Sequence, residues 1–329
     1  MAATRSCIAL VTFAAVSYSV GTSPRTRNFA LEYKAVVKDV PAGAKRLELW
    51  VPVPHDDAYQ RITDLRVQTP YSYKIVVGAD GNSMLHLGID NPTDSNIPLT
   101  MSFEAERREH TQPRLVAATT AFKDEDPKDL AQYLKPDRLV PIDDQIRTWA
   151  RQVVEAAHAH TDLEKARAIY NHVVATVKYD KTGKGWGRGD IYYACSERRG
   201  NCTDFHAIFI GYSRALGIPA RFAIGFPIPA ERGQGKITGY HCWAEFYAKG
   251  IGWVPVDASE AAKNPDKREY FFGHHDENRV EFSKGRDVVL TPRQQGEPLN
   301  YFVYPYAEVD GKTYANTELA VTYRDNPGR

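Results

Sequence analysis

Cys202 is the residue whose type and position most favour nucleophilic chemistry. It follows Gly200, which interrupts the chain, and Asn201, a residue type favoured at helix N-caps. We therefore expect Cys202 in the first turn of a helix that ends before Gly217. Backbone N–H groups and the helix dipole stabilise a thiolate there and lower its pKa. The alternative role is that of a small buried hydrophobic residue.

His241 and Asp257 could activate such a thiol. They lie on two predicted strands, residues 239–247 and 251–257. A three-residue loop at 248–250 would pair Tyr247 with Ile251 and place His241 directly opposite Asp257, with Cβ atoms about 5 Å apart. A carboxylate can orient an imidazole so that its other nitrogen faces a thiol. The alternative is a core histidine beside a structural aspartate.

Hydrophobic periodicity divides the chain into segments that would hold these residues. Alternating apolar residues at 28–110 predict a β-sandwich, and prolines interrupt a linker at 111–141. A 3.6-residue repeat then predicts helices, the second opened by a capping box of Thr161 and Glu164. Residues 142–329 would form the catalytic domain. Short strands are predicted after Asp257 at residues 279–282, 287–290 and 301–309. They are expected to extend or cover the sheet of this domain, as a C-terminal β extension.

The N-terminus has the pattern of a secretory signal peptide over residues 1–21. Arg5 precedes the apolar run from Cys7 to Val16, and small residues follow. We therefore expect an exported protein, periplasmic or extracellular. Cleavage would remove one of four cysteines and leave Cys195, Cys202 and Cys242, an odd number with at least one free thiol.

Composition excludes several other classes of protein. The 329 residues include 42 basic and 41 acidic side chains, so charge gives no case for a nucleic-acid partner. After the N-terminal run, no apolar stretch is long enough to predict a membrane span. The glycine-rich loop at residues 181–190 lacks the phosphate-loop pattern. Neither a cofactor nor a metal is predicted, and the sequence leaves the oligomeric state open.

Over residues 140–265 the chain resembles the transglutaminase-like superfamily. The segments that carry the resemblance are GNCTDFH, GIPAR, YHCWAEFY and GWVPVDAS. The resemblance implies an α+β papain-like fold, with the nucleophile helix packed on an antiparallel sheet. It also implies that Cys202 is the nucleophile, His241 the general base and Asp257 its orienting partner. Bacterial members of the superfamily often carry an extra β domain and a signal peptide.

The function implied is that of an exported thiol enzyme that attacks amide bonds of a peptide or protein substrate through a thioester on Cys202. Water as the acceptor makes it a hydrolase or peptidase, whereas an amine makes it an acyltransferase. No calcium requirement is inferred. The alternative is a binding or scaffold module that keeps the fold without turnover, although such a module would not need all three groups.

Several further side chains are candidates around this site. Trp186, Tyr192 and Tyr193 could supply a second oxyanion donor, and Trp243 could line the cleft. A zinc site built from Cys195, Cys202, His206, His241 and Cys242 is disfavoured, because adjacent strand residues point to opposite faces and Cys242 would face away. A Cys195–Cys242 disulfide stays open. His110 is expected to have a surface or core role, and His275 to be solvated.

Overall fold

The computed structural model describes residues 23–112, 115 and 127–326. The predicted signal peptide at residues 1–21 and part of the predicted linker at 111–141 lie outside the described residues. The described helices are α1 (Pro127–Leu130), α2 (Asp144–Ala156), α3 (Asp162–Thr176), α4 (Ile191–Glu197), α5 (Cys202–Ala215) and α6 (Ala258–Lys263), with 3-10 turns at Ala131–Leu134 and Pro265–Lys267.

The strands of the described residues are mostly short. They are β1 (Thr26–Val37), β2 (Arg46–Val53), β3 (Gln60–Gln68), β4 (Lys74–Val77), β5 (Ser83–Asp90), β6 (Ile97–Arg108), β7 (His110–Thr111), β8 (Lys178–Tyr179), β9 (Arg199–Gly200), β10 (Ala220–Pro227), β11 (Gln234–Ile237), β12 (His241–Ala248), β13 (Gly252–Val256), β14 (His274–His275), β15 (Arg279–Lys284), β16 (Tyr306–Val309), β17 (Lys312–Tyr314) and β18 (Thr317–Asp325).

The N-terminal part is built from two five-stranded antiparallel sheets, in the orders β11-β18-β1-β6-β3 and β17-β16-β2-β5-β4. Burial alternates along β1 and β6, as the sequence pattern predicts for strands with one face on a core. Leu31 and Phe103 of the first sheet and Leu49 and Leu87 of the second belong to one apolar core. The predicted N-terminal sandwich is therefore present.

The last strands of the chain complete this sandwich. β18 pairs with β1 along nine residue pairs, and β16 pairs with β2. The prediction that the strands after Asp257 extend or cover the sheet of the second domain is therefore right for β15 and wrong for β16. The sequence analysis did not predict β17 and β18. Residues 287–290, predicted as a strand, form a single bridge from Val288 to Leu299. Alternation of apolar residues identifies a strand, but it does not specify which strand becomes its partner across the chain.

The second layer is a four-stranded antiparallel sheet, β13-β12-β10-β15, packed against α5. Phe209 of α5 meets Phe246 of β12, with ring centroids 6.0 Å apart. α5 is buried along nearly its whole length because α2, α3, α4 and α6 also contact it. At Gly211 a Cβ atom would lie 2.4 Å from Ile191 of α4, so the absent side chain permits this approach. The fold is thus α+β, as predicted.

The helix boundaries follow local capping chemistry. Asn201 caps α5 by accepting a hydrogen bond from the N–H of Thr203 at 2.9 Å. The predicted capping box of Thr161 and Glu164 opens α3. α4 was not predicted; Asp190 caps it by accepting from Tyr192 and Tyr193. Among the described helices, none combines the length and the apolar character that crossing a membrane requires.

Candidate functional site

Cys202 is the first residue of α5 and is almost fully buried. Asp204 reaches back and accepts a hydrogen bond from the N–H of Asn201 at 2.9 Å, which completes a capping box. A Cβ atom on Gly200 would lie 2.1 Å from the Asp204 carboxylate. Only glycine therefore allows the chain to enter the helix this closely. As the first helical residue, Cys202 has an N–H without an intrahelical acceptor.

The glycine-rich loop wraps around the start of α5. The N–H groups of Gly187 and Gly189 donate to the two carboxylate oxygens of Asp204, at 2.7 and 3.0 Å. Tyr240 adds a second link, because its hydroxyl accepts from the Asn201 side chain at 2.8 Å and lies 2.9 Å from Thr203 Oγ1. The loop therefore holds the start of α5 in place, a role that the sequence did not reveal.

His241 and Asp257 are joined by a hydrogen bond of 2.7 Å from imidazole Nε2 to carboxylate Oδ2. The predicted contact is present, but the predicted strand register is wrong. Ala248 pairs with Gly252 and Ala244 with Val256, so the register is shifted by two residues. An extended ladder would place Asp257 opposite Trp243 rather than His241. Because side chains alternate with period two, this shift keeps Asp257 on the face that His241 shares.

The Asp257 carboxylate accepts hydrogen bonds from four donors. Oδ2 accepts from His241 and from the Arg279 guanidinium at 3.0 Å. Oδ1 accepts from the Ser259 hydroxyl at 3.1 Å and the Glu260 N–H at 3.0 Å, so Asp257 also caps α6. Burial opposes ionisation, but the charge and hydrogen bond of His241, with the charge of Arg279, hold the pKa of Asp257 well below its usual range. The carboxylate is therefore a fixed anion.

Charge separation between Cys202 and His241 is favoured. Burial opposes a thiolate, but hydrogen bonds from Cys242 and His241 and the charge of His241 outweigh it and hold the pKa of Cys202 well below its usual range. Burial also opposes an imidazolium, but Asp257 and the contact with Cys202 raise the pKa of His241 to about 10. Since Nε2 of His241 bonds Asp257, Nδ1 is the nitrogen left to meet the thiolate.

His206 and Cys242 form a second buried layer behind the thiol. His206 Nε2 accepts from the N–H of Ala258 at 3.2 Å, which ties α5 to the start of α6. The Cys242 thiol donates to Thr203 Oγ1 and contacts His206 Nδ1, both at 3.7 Å. Cys242 therefore faces α5, and the prediction that it points away from the helix is wrong. His241 is the first residue of β12 and approaches Cys202 from the strand end.

The four residues predicted as oxyanion donors or cleft residues lie in different surroundings. Trp243 is fully buried against His241 and the Arg279 guanidinium, so the prediction that it lines an open cleft is wrong. The Tyr192 hydroxyl donates to Asp143, which caps α2, and is not free for substrate. Trp186 is half-buried in the loop that holds Asp204. The role predicted for Trp186 stays a prediction.

Tyr193 packs its ring against Gly185, where a Cβ atom would lie 2.8 Å from the ring. Its hydroxyl is buried and has no hydrogen-bond partner among the described residues. Its role as an oxyanion donor also stays a prediction. Cys195 and Cys242 are both free cysteines, and Cys195 contacts the Tyr212 hydroxyl at 3.4 Å. The disulfide that the sequence left open is therefore not formed.

Three tyrosines gather beside the thiol. The Tyr240 ring lies 5.3 Å from the Tyr301 ring and 5.9 Å from the Tyr304 ring, measured between centroids. Tyr304 is 41% exposed, whereas Cys202 is buried. Burial raises the pKa of Tyr304 to about 12, helped by the charges of Tyr301 and Cys202. Tyr301 and Tyr304 thus form an aromatic surface near Cys202, with Tyr304 facing solvent, whereas Tyr306 packs on Trp50 of the sandwich.

Comparison with known proteins shows the fold and supports the predicted resemblance. A crystal structure from Cytophaga hutchinsonii, described as a "putative cysteine protease", shares the fold with a TM-score of 0.62, 17% identity and 93% coverage of each chain. An uncharacterised protein from Haemophilus influenzae is 28% identical over 309 residues, covering 83% of each chain. Residues 147–258 match the family model of the transglutaminase-like superfamily. Residues 147–258 are therefore transglutaminase-like in sequence, as the resemblance predicted.

We predict that iodoacetamide labels Cys202 first at about pH 6, because of the three cysteines only Cys202 has a lowered pKa, which raises its thiolate fraction. Burial raises the pKa of Cys195, and burial with the contact to Cys202 raises that of Cys242. Peptide mass spectrometry should show labelling at least about tenfold faster at Cys202. His241→Gln should remove this preference at about pH 6 but not at about pH 9. Equal labelling of the three cysteines would contradict the charge separation.

Asp257→Asn should cost stability as well as activity. In the variant, an NH2 group of the asparagine side chain replaces one carboxylate oxygen, so it faces hydrogen-bond donors instead of accepting from them. We therefore expect the free energy of unfolding to fall by about 2–4 kcal/mol. The charged His241 stabilises the native fold fully below about pH 6.5, and that contribution is lost as the pH rises through about 10. In the variant this loss should begin at lower pH in urea titrations. An unchanged pH profile would show that Asp257 does not set the His241 charge.

Proposed function

We propose that this protein is a thiol enzyme that cleaves amide bonds of peptides or proteins through a thioester on Cys202. The observation that carries the proposal is the buried chain of contacts from Asp257 to His241 to Cys202, with Cys202 as the first residue of a helix and its pKa lowered by His241. The fold shared with a structure described as a "putative cysteine protease" supports the same chemistry.

The residues suggest a definite order of steps. The Cys202 thiolate attacks the amide carbonyl carbon, and a C–S bond forms while the carbonyl oxygen becomes an oxyanion. The N–H of Cys202 is the donor nearest that oxygen. His241 then protonates the leaving nitrogen as the C–N bond breaks. Water, deprotonated by His241, next attacks the thioester carbon, the C–S bond breaks, and the thiolate is restored.

Asp257 acts on this sequence through His241. It fixes the imidazole and favours its protonated form, and Arg279 holds the carboxylate in turn. The exposed surface of Tyr304 beside Tyr240 would contact the substrate, because aromatic faces bind extended peptides with little loss of side-chain entropy. A peptide or protein substrate therefore suits the site better than a small amide.

Turnover of a peptide library tests the proposal. The protein should hydrolyse a subset of peptides, and Cys202→Ala should lower the rate by at least about 10³-fold, because no other group can form the thioester. Cys195→Ala is the matched control and should retain the rate, since Cys195 contacts Tyr212 away from the site. Products are identified by mass spectrometry.

Adding primary amines to the same reactions separates the outcomes. Hydrolysed products at all amine concentrations support a hydrolase. Amine conjugates that replace them would overturn hydrolysis in favour of acyl transfer. Absence of both products, with no covalent adduct on Cys202 in intact-mass spectra, would instead indicate a binding or scaffold module.

We also propose that the enzyme is exported after cleavage of a signal peptide at residues 1–21. The proposal rests on the basic residue, apolar run and small residues of that segment. The protein isolated from its native host should begin near residues 18–24, as read by N-terminal peptide mass spectrometry. A soluble protein that retains Met1 would contradict export.

A further inference from the structure

Two histidines and a glutamate meet in a buried cluster outside the thiol site. His110 of β7, His275 of β14 and Glu245 of β12 each offer one ligand atom, and these atoms all lie within 4.8 Å of one another. The three residues are 2%, 0% and 5% exposed. β7 and β14 pair directly, with His275 opposite His110. The expectation that His275 is solvated is therefore wrong.

The hydrogen-bonding capacity of this cluster is unused. Both ring nitrogens of His110 and both of His275 are buried without a hydrogen-bond partner among the described residues. Leaving such groups unpaired is costly, so buried polar atoms normally have a partner. Arg221 binds only the Oε2 atom of Glu245, at 2.7 Å from Nε, which leaves Oε1 facing His110 Nδ1 at 3.6 Å.

These distances are close to those of a metal site. A tetrahedral zinc with bonds of about 2.0–2.1 Å holds its ligand atoms roughly 3.4 Å apart. The gap between His110 Nδ1 and Glu245 Oε1 already matches this spacing. The rings are also held in place: His110 stacks on Tyr59 at 3.6 Å between centroids, and His275 packs edge-on against Trp243 at 5.8 Å.

The charges suit a cation as well. The Glu245 carboxylate supplies a negative charge, and an unprotonated imidazole from each histidine supplies a nitrogen ligand. The four nearby cations are paired with carboxylates in the structure. These pairs are Arg107 with Asp57, Arg221 with Glu245, Arg279 with Asp257 and Asp276, and Lys284 with Glu281.

We propose that His110, His275 and Glu245 bind a structural Zn²⁺ ion, with water as the fourth ligand. Two imidazoles and one carboxylate are a ligand set that suits zinc, and a water molecule completes four-coordination. The ion would join the β7–β14 pair to β12, the strand that begins at His241. The proposal does not depend on the proposed function, because none of the three ligands belongs to the chain of contacts from Asp257 to His241 to Cys202.

Metal content and spectroscopy test the site on the full-length protein. After removal of metal by a chelator and addition of zinc, elemental analysis should give about one zinc per chain. The midpoint of thermal unfolding should rise with zinc concentration. Cobalt substitution should give d–d absorption bands without a thiolate charge-transfer band. That band would indicate binding at Cys202 and Cys242 and would overturn the assignment, as would zinc that fails to bind the wild-type protein.

Matched variants locate the ligands. His275→Gln and Glu245→Gln should each weaken zinc affinity by at least about 100-fold. His274→Gln is the control and should bind zinc as the wild type does, because His274 stacks on Tyr270 and bonds its carbonyl instead. If a ligand variant does not fold, the zinc titration and the cobalt spectrum of the wild-type protein still test whether the site binds a metal. Equal affinity in all three variants would overturn the proposal.

Discussion

The Asp257 carboxylate is the interaction on which the rest of the site depends. Its four donors come from β12, β15 and α6, so one buried anion joins two strands of the catalytic sheet to a helix. A buried carboxylate is tolerated only when its hydrogen bonds and charge are matched. Arg279 and the protonated His241 provide that match. The same contacts that keep this anion in the interior also keep His241 charged beside Cys202.

The parts of the site that were predictable are those encoded locally. Asn201 and Gly200 mark the start of α5 because capping and backbone approach depend on adjacent residues. The contact between His241 and Asp257 was predicted from a wrong register. The prediction still held because a shift of two residues preserves the face of a strand. A shift of one residue would have turned Asp257 away from His241.

The parts that sequence reasoning missed depend on contacts between distant segments. Arg279 lies 22 positions from Asp257, and no local pattern distinguishes it from other arginines. The glycine-rich loop matched no ligand-binding pattern, because its partner is the side chain of Asp204 rather than a ligand. The four-residue separation of Cys202 and His206 on one helix face was a signal that His206 lies behind the thiol. The sheet to which β16–β18 belong depends on strand pairing, which the alternation of apolar and polar residues does not encode.

The pairing of β1 with β18 has a consequence for the order in which the protein can form. The catalytic layer lies between the two halves of the sandwich along the chain, so the sandwich lacks a member until the final strand has left the ribosome. Until then β1 presents an unpaired edge, which is a template for association with another chain. Residues 142–284, by contrast, contain all four strands of the catalytic sheet and the helix that carries Cys202. During synthesis the thiol site can therefore assemble before β16–β18 have joined the two five-stranded sheets.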